Sequence, residues 1–439
     1  MLKAGVAVRE ITPQVFTLMS GYPDPADRGA IMAHDPLYAS AFYFENEQTR
    51  MLFFTTDILN MTKDRANELR MLVEKHTGIP RKNIAVSCSH THSGPSTAGN
   101  IWENFEDPRE QEPENNDRMR DLMLAAAKDA VNNAFEAKLG WGSGICGKEH
   151  GIGGNRHDPE NGPADPSVNV LAIRDANDQL RGCMVNYSMH PTVLHDHNFF
   201  FTADFPCYIR ETLQERYPFL IFGFQMGAAG DQSTRFFRTA QTYDEARRIG
   251  STIGQVALEV LEQMTFVTEA ELKCASVVVT PPLKTFPSHA EAVEKLAHSQ
   301  KIFDDLVAAN APYSKTRAAQ SVLEGSVFME GFTRSLEKSS VEDILGRQLP
   351  LECFAMRLGD CCIVCNPSEI FVEISNRIKA ASPFAVTMFC ATTNGSTTGY
   401  VCTDESYDRF CYEAQASTFA KGTAQALIDG SLQAMDMVR

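Results

Sequence analysis

The chain has 439 residues, of which 43% are hydrophobic and 22% are charged. This composition is typical of a folded globular protein and excludes a disordered or fibrous chain. The 56 acidic and 40 basic residues leave a formal net charge of −16, and because a field of that sign repels phosphate backbones, we expect no nucleic acid partner.

The N-terminus and the cysteines bear on location. The opening residues, MLKAGVAVREITP, hold only a short apolar run, and no window of the chain approaches the ~18 apolar residues of a membrane-spanning helix. We therefore expect neither a secretory signal nor a transmembrane segment. The 12 cysteines fit reduced thiols in a cytoplasmic protein. Cys362 and Cys365 form one CxxC pair, but the second pair that a structural zinc site needs is missing. The apolar residues around them predict a buried strand instead.

Apolar stretches that fit strands alternate with amphipathic stretches that fit helices. Residues 51–59 predict a strand, residues 63–78 a helix that ends at Gly78, and the residues from 83 onward a second strand. Such a strand–helix–strand unit predicts a mixed or parallel sheet whose functional residues lie on the loops that follow its strands.

The later elements continue the alternation after a loop-rich stretch at 147–167, which is rich in Gly, Pro, Asn and Asp. Further helices are predicted over 117–137, 203–218, 241–263, 288–309, 315–331 and 416–435, and further strands over 168–175, 182–191, 219–231, 353–365 and 386–391. We expect an α/β (mixed α+β) fold with a large mixed β-sheet and flanking helices. Because no linker or shift of composition interrupts the chain, we expect residues 1–439 to form a single domain.

Histidines stand at the ends of two predicted strands. His90 and His92 are two residues apart and so face the same side of a continuing strand. His190 ends another apolar strand, and His195 and His197 follow in the next loop. Packing alone does not require this repeated pattern, although pairs of polar core residues without a metal remain the alternative.

A histidine-based site favours zinc, which imidazole binds well and which in catalytic sites keeps one position open for water. Such an ion makes hydroxide available near neutral pH and polarises a carbonyl group. The chemistry that this predicts is hydrolysis. The chain carries no GxSxG motif, P-loop or dinucleotide-binding fingerprint that would compete with it.

Six motifs resemble, in the same order, those of the neutral ceramidase family of zinc amidases, and the similarity extends over nearly the whole chain. They are AGVAVREITP (4–13), HDPLYASAF (34–42), SHTHSGP (89–95), NR (155–156), NYSMHPT (186–192) and GAAGD (227–231).

The resemblance implies one zinc ion per chain and a set of four ligands. The matching positions are His90 in the HTH motif, His190 in the HPT motif, Glu369 in NPSEIF and Tyr400 in NGSTTGYVCT. The residues alone would not select the last two. Glu369 also fits a favourable charge at a helix N-terminus, and Tyr400 fits a half-buried sheet residue.

The resemblance also implies three catalytic residues. His92 matches the histidine that moves a proton beside the metal, and Arg156 matches the arginine that binds the developing oxyanion. Tyr412 lies twelve residues after Tyr400, the spacing of a second tyrosine in the family.

Two departures from the family concern the substrate. The family has a secretory or anchoring N-terminus and a C-terminal β-sandwich domain, and we expect neither here. The segment TVLHDHNFFF at 192–201 replaces an expected polar segment. His34, His195 and His197 could contact a substrate or a second ion, or be ordinary loop residues. Assembly state is left open.

The leading hypothesis is a zinc-dependent hydrolase that cleaves the amide bond of a small or lipid-like N-acyl compound. An intracellular amidase or esterase that acts on a small soluble acyl compound is the second hypothesis. The third is a catalytically silent relative that keeps the fold to bind a ligand.

Overall fold

The computed structural model of the protein describes residues 1–14, 17–22, 28–97, 113–346, 348–395, 398–409 and 411–439. The helices within these ranges are α1 (Lys63–Thr77), α2 (Pro113–Asn132), α3 (Phe205–Arg216), α4 (Tyr243–Gln263), α5 (His289–Ala308), α6 (Tyr313–Leu336), α7 (Val341–Leu345), α8 (Val372–Ala380), α9 (Tyr412–Ala416) and α10 (Thr423–Val438). The strands are β1 (Lys3–Glu10), β2 (Met32–Ala33), β3 (Tyr38–Glu45), β4 (Arg50–Thr56), β5 (Ile84–Cys88), β6 (Phe135–Ile145), β7 (Gly154–Asn155), β8 (Ser167–Asp175), β9 (Leu180–Tyr187), β10 (Phe200–Phe201), β11 (Ile221–Met226), β12 (Gln232–Ser233), β13 (Phe266–Val267), β14 (Leu272–Val279), β15 (Leu351–Leu358), β16 (Cys361–Cys365), β17 (Glu369–Ile370), β18 (Val386–Cys390) and β19 (Tyr400–Val401).

The largest sheet is mixed and has the strand order β11-β9-β8-β6-β1-β3-β4-β5, with β13 paired to β6. Its two end pairs, β11 with β9 and β4 with β5, are parallel, and the pairs between them are antiparallel. The sheet curls so that β11 also packs against β3, β4 and β5. At this closure the Ser40 hydroxyl donates to the Phe222 carbonyl oxygen at 2.7 Å. The curl therefore brings β5 and β9 toward each other although they lie far apart in strand order.

A second sheet, β14-β15-β16-β18, packs against one face of the first. The apolar side chains of one face of β3 and β4, which include Phe42, Phe44 and Phe53, share a buried cluster with Phe354 and Met388 of the second sheet. Alternate residues of β3 and β4 point the other way, into a cluster shared with helices, as strand geometry requires.

Helices cover the outer faces of both sheets. Helix α2 packs on β1 and β3, α4 packs on β6 and β8, and α10 packs on β14, β15 and β16. Helix boundaries follow local signals: the Thr62 side chain caps the N-terminus of α1 by accepting from Arg65 N, and Gly78 ends α1 with a φ of 71°. The expected α/β fold with a large mixed sheet and flanking helices is confirmed.

Several predicted helix boundaries differ from the structure. The last helix, predicted from residue 416, begins at Thr423. A helix was predicted over 117–137, but α2 ends at Asn132 and residues 135–145 form a long strand of the large sheet. The alanines of α2 favour helix up to this point, whereas the following segment FEAKLGWGSGI holds three glycines that disfavour helix. Residues 137–145 of the strand pair with β8 and residues 135–136 pair with β1, and these tertiary contacts determine its structure.

A strand of the second sheet, β14, was not among the predicted elements. Its exposure alternates only partly along LKCASVVV, and its partner β15 lies more than 70 residues later in the chain. Within the described ranges, no helix is both long and apolar enough to cross a membrane.

Candidate metal centre

Two strands of the curled sheet carry histidines just beyond their ends. His90 follows β5, and its backbone N donates to the Ile58 carbonyl oxygen at 2.9 Å. The backbone of His90 has a φ of 64°, a left-handed conformation that is uncommon for a residue with a side chain. His190 follows β9, and the ring centroids of the two histidines lie 5.0 Å apart. The two predicted strand ends therefore meet.

Backbone carbonyls fix the tautomers of both rings. His90 Nδ1 lies 2.9 Å from the Leu59 carbonyl oxygen, and His190 Nδ1 lies 2.6 Å from the Ala229 carbonyl oxygen. Because a carbonyl can only accept, each Nδ1 carries the proton and donates it. Both imidazoles, when neutral, therefore present an unprotonated Nε2 toward the same space, as metal-binding histidines do.

The carboxylate of Glu369 faces this space. Its Oε2 lies 3.1 Å from His190 Nε2 and 3.3 Å from His90 Nε2. Burial opposes the ionisation of Glu369, but the adjacent His90 and His190 outweigh that effect and hold its pKa well below its usual range. Burial lowers the pKa of His190, which favours its neutral form. The negative Glu369 oxygen therefore lies within hydrogen-bonding distance of both Nε2 atoms, and either a proton or a metal cation between these atoms is needed to avoid repulsion between the oxygen and the nitrogen lone pairs.

The spacing of these atoms fits a bound cation. Two ligands of one zinc ion, at bond lengths of about 2.0–2.2 Å and tetrahedral angles, lie about 3.3 Å apart. The two contacts of Glu369 Oε2 are 3.1 and 3.3 Å. Imidazole nitrogen and carboxylate oxygen are both donors that zinc accepts.

Tyr400 is placed beside Glu369 by a short parallel strand pair. In the register of β17 and β19, Glu369 pairs with Tyr400, and Glu369 N donates to the Gly399 carbonyl oxygen at 3.0 Å. Both side chains are buried. Burial, together with the charge of Glu369, raises the pKa of Tyr400 well above its usual range. The structure thus brings His90, His190, Glu369 and Tyr400 into one neighbourhood, with the tyrosine on the strand next to the carboxylate.

His92 adjoins the two proposed ligand histidines. Its ring centroid lies 5.0 Å from that of His90 and 5.6 Å from that of His190. One nitrogen of each of these three histidines falls within 4.8 Å of the others, so the geometry also permits His92 as a ligand. Both ring nitrogens of His92 are buried, and no described residue forms a hydrogen bond with either. Burial, followed by the neighbouring His90, lowers the pKa of His92 well below its usual value.

Arg156 lies next to Tyr400 and Tyr412. The Arg156 guanidinium carbon lies 5.6 Å from the Tyr400 ring centroid and 6.0 Å from the Tyr412 ring centroid. The two tyrosine rings are 5.6 Å apart. These three predicted residues are therefore brought together as well, and they present a cation and two phenols.

The residue that holds Arg156 is Glu413, which was not among the predicted site residues. Arg156 Nε donates to Glu413 Oε1 at 2.6 Å, and Glu413 is only 1% exposed. Burial opposes the ionisation of both partners, but their mutual attraction outweighs it and raises the pKa of Arg156 while lowering the pKa of Glu413. The available signal was position, since Glu413 directly follows Tyr412.

The other histidines lie in different surroundings. His34 stacks on the Tyr243 ring with centroids 3.6 Å apart, and its Nδ1 lies 3.2 Å from an Asp35 carboxylate oxygen. His195 Nδ1 pairs with Asp196 at 2.8 Å, and the His197 side chain is 91% exposed. In the part of the chain that the structure describes, none of these three histidines belongs to a group of potential metal ligands.

The cysteine-rich segment forms the predicted buried strand. Residues 361–365 are β16, with every residue buried. Among the described residues, its thiols join no group of potential metal ligands.

Comparisons with known proteins agree on the family and the fold. The family described as "Neutral/alkaline non-lysosomal ceramidase, N-terminal" matches residues 2–235, more than half of the chain. The search of curated proteins gave no match.

Two solved structures share the fold. A ceramidase complexed with C2 is 17% identical, with a TM-score of 0.73, and the match covers 99% of this chain and 75% of that one. The neutral ceramidase from Pseudomonas aeruginosa is 18% identical, with the same TM-score and coverage. At these identities the likeness concerns the fold alone, while the matched sequence family carries the assignment. The chain belongs to the neutral/alkaline non-lysosomal ceramidase family.

Proposed function

We propose that the protein is a zinc-dependent hydrolase that cleaves the amide bond of an N-acyl compound. Membership of the ceramidase family supports an amide hydrolase. The observation that carries the metal dependence is that His90 and His190, with Nδ1 held on backbone carbonyls, both place Nε2 within 3.3 Å of one Glu369 oxygen.

In this proposal His90, His190, Glu369 and Tyr400 hold one zinc ion per chain. Zinc bound there would lower the pKa of a water molecule to about 7 and polarise the substrate carbonyl. His92 is suited to take a proton and pass it to the leaving amine, because its buried nitrogens are not committed to other described residues.

Arg156 and Tyr412 would stabilise the oxyanion of the tetrahedral intermediate. Both are donors, and Glu413 holds the guanidinium in place. A buried site strengthens these interactions because little water screens them.

Two classes of substrate fit the proposed hydrolase. The family supports a lipid-like N-acyl substrate, with ceramide as the natural candidate. Exposed apolar side chains lie just before the HDPLYASAF motif: Ile31 is 57% and Met32 is 54% exposed. Strand β2, which contains Met32, pairs with β10, which contains Phe200 and Phe201. A small soluble N-acyl compound is the alternative. A cytoplasmic location also stays a proposal, which rests on the cysteine-rich sequence.

Metal analysis combined with a substrate panel tests the function. We expect His90→Ala to lower the zinc content by about one equivalent per chain, because a catalytic zinc site has only three or four protein ligands. His76→Ala, on the exposed surface of α1, is the matched control and should keep the wild-type content.

The panel contains short-chain N-acyl amides without detergent and long-chain ceramides with detergent. Turnover of the long-chain substrates supports a ceramidase, whereas turnover restricted to the short-chain substrates supports the small-molecule amidase. Bound zinc without turnover of any amide or ester would support a silent relative, and a wild-type protein that retains no zinc would contradict the proposal.

A further inference from the structure

A second cluster of potential metal ligands includes Glu413, the carboxylate that holds Arg156. One donor atom of each of His157, Cys411 and Glu413 falls within 4.8 Å of the others. His157 follows β7, Cys411 precedes α9, and Glu413 lies in the first turn of α9. None of the three is a ligand in the zinc centre proposed above.

One oxygen of the Glu413 carboxylate, Oε2, does not bind Arg156. Oε1 accepts from Arg156 Nε at 2.6 Å. Oε2 is buried, and no described residue gives it an aligned hydrogen bond, although His157 Nε2 lies 3.0 Å away. At 3.0 Å the two atoms form an ion pair when His157 is protonated, and a metal ion that replaces this proton would hold them as neighbouring ligands, about 3.3 Å apart.

The donor types favour a particular class of metal. A thiolate, an imidazole and a carboxylate suit Zn²⁺, Cd²⁺ and Co²⁺, whereas Mg²⁺ and Ca²⁺ prefer oxygen ligands alone. A hydrogen bond from Cys402 lowers the pKa of Cys411, which favours the thiolate that binds metal.

The cluster is open to solvent on one side. The His157 side chain is 37% exposed, while Glu413 is buried behind it. An ion can therefore reach the cluster from the surface, and a water molecule can complete its coordination.

We propose that His157, Cys411 and Glu413 form a second binding site, selective for Zn²⁺-class divalent ions, beside Arg156. Glu413 is shared: one oxygen holds Arg156, and the other faces the second site. This site uses none of the proposed zinc ligands, and it is linked to the hydrolase centre through Glu413, which also holds Arg156.

The test uses Cd²⁺ and a signal that only a sulfur ligand produces. The 439-residue chain, carrying one equivalent of zinc, is titrated with Cd²⁺ while sulfur-to-cadmium charge-transfer absorption is followed in the near ultraviolet. The proposed zinc centre has no sulfur ligand, so we expect absorption that saturates at about one equivalent and does not form with Mg²⁺.

Three variants localise the signal. Cys411→Ala should abolish the absorption, and His157→Asn, which keeps the thiol, should weaken Cd²⁺ binding at least about tenfold. Cys274→Ser is the matched control, because Cys274 and Cys411 are the two cysteines of the chain that are not fully buried. It should bind Cd²⁺ like the wild type.

The proposal fails if the wild type gives no sulfur-to-cadmium band, if Cys411→Ala keeps it, or if His157→Asn binds as tightly as the wild type. The His90→Ala variant separates this outcome from failure of the hydrolase proposal. It should lose zinc from the first site and retain the band, and loss of the band there would refute a separate second site.

Discussion

At the scale of single residues, the centre depends on what the second nitrogen of each imidazole does. His90 and His190 each donate Nδ1–H to a backbone carbonyl, which fixes the ring and leaves Nε2 for another partner. His92 makes no such bond to any described residue. The structure thus distinguishes two oriented imidazoles from one that is free to exchange a proton.

This difference predicts how His92→Ala behaves. We expect the variant to keep its zinc and to lose turnover by about 100-fold or more, which is what the loss of a group for acid-base catalysis costs. Metal analysis and steady-state rates on the same preparation measure both quantities. If zinc falls together with activity, as in His90→Ala, then His92 is a ligand and the division of roles is wrong.

The buried Arg156–Glu413 pair predicts a pH-dependent stability. Removing one partner of a buried ion pair costs about 3–5 kcal/mol, so we expect Glu413→Gln to lower the free energy of unfolding by about that amount at pH 7. The folded-state pKa of Glu413 lies below its unfolded value of about 4.3. The stabilisation is therefore fully present above that value and is lost as the pH falls below it.

Urea denaturation of metal-free protein at pH 7 and at pH 4 measures this difference. Asp408→Asn serves as the control, because Asp408 and Lys421 form an exposed pair whose removal should cost less than about 1 kcal/mol. If the difference in the free energy of unfolding between Glu413→Gln and the wild type is larger at pH 4 than at pH 7, the assigned ion pair is contradicted.

At the scale of elements, a strand pair of two residues each carries two of the proposed ligands. Strand β17 brings Glu369 next to Tyr400 of β19, and Gly230 N donates to the Ile370 carbonyl oxygen at 2.9 Å. The GAAGD motif thus supports the strand that carries the carboxylate, and the carbonyl of its Ala229 orients His190.

The close approach at Gly230 predicts the effect of a single methyl group. A Cβ at this position would lie 2.8 Å from the Glu369 carbonyl oxygen and 2.9 Å from the Ile370 carbonyl carbon, so the backbone of β17 must move. We expect Gly230→Ala to reduce zinc affinity at least about tenfold and to destabilise the protein by about 1–3 kcal/mol.

Competition with a chelator measures the affinity, and denaturation measures the stability. Gly325→Ala in α6 is the control, because the atoms nearest its Cβ would be side-chain atoms of Gln415 at 3.1–3.2 Å and not backbone atoms, and alanine favours helix. Unchanged zinc affinity in Gly230→Ala would mean that β17 does not set the carboxylate position.

At the scale of the whole molecule, the proposed ligands come from distant parts of the chain. The histidines follow strands of the curled sheet, while Glu369 and Tyr400 lie beyond β16, in the part of the chain that forms the second sheet. One buried cluster includes residues from β1 to α10. We therefore propose that residues 1–439 form a single domain.

Metal removal should then destabilise the entire fold. Because zinc binds only the folded state, saturation at about 100 times the dissociation constant contributes about 2.7 kcal/mol. We expect calorimetry to show one transition, at a temperature several degrees higher with zinc than with a chelator, and to show a smaller shift in His90→Ala. Two separate transitions would contradict the single domain, and a zinc-loaded protein that melts like the metal-free one would contradict a bridging ion.

The sequence by itself determined the class of fold, the strands that end at His90 and His190, and the buried strand at 361–365, because each depends on a local pattern of apolar and chain-breaking residues. Glu369, Tyr400, Arg156 and Tyr412 came from the family resemblance, since no local pattern marks them. Only the tertiary structure decided that the sheet curls, that β14 pairs with β15, that residues 135–145 form a strand, and that Glu413 holds Arg156. These features depend on contacts between residues far apart in the chain, and the periodicity of a single segment carries no information about its distant partner.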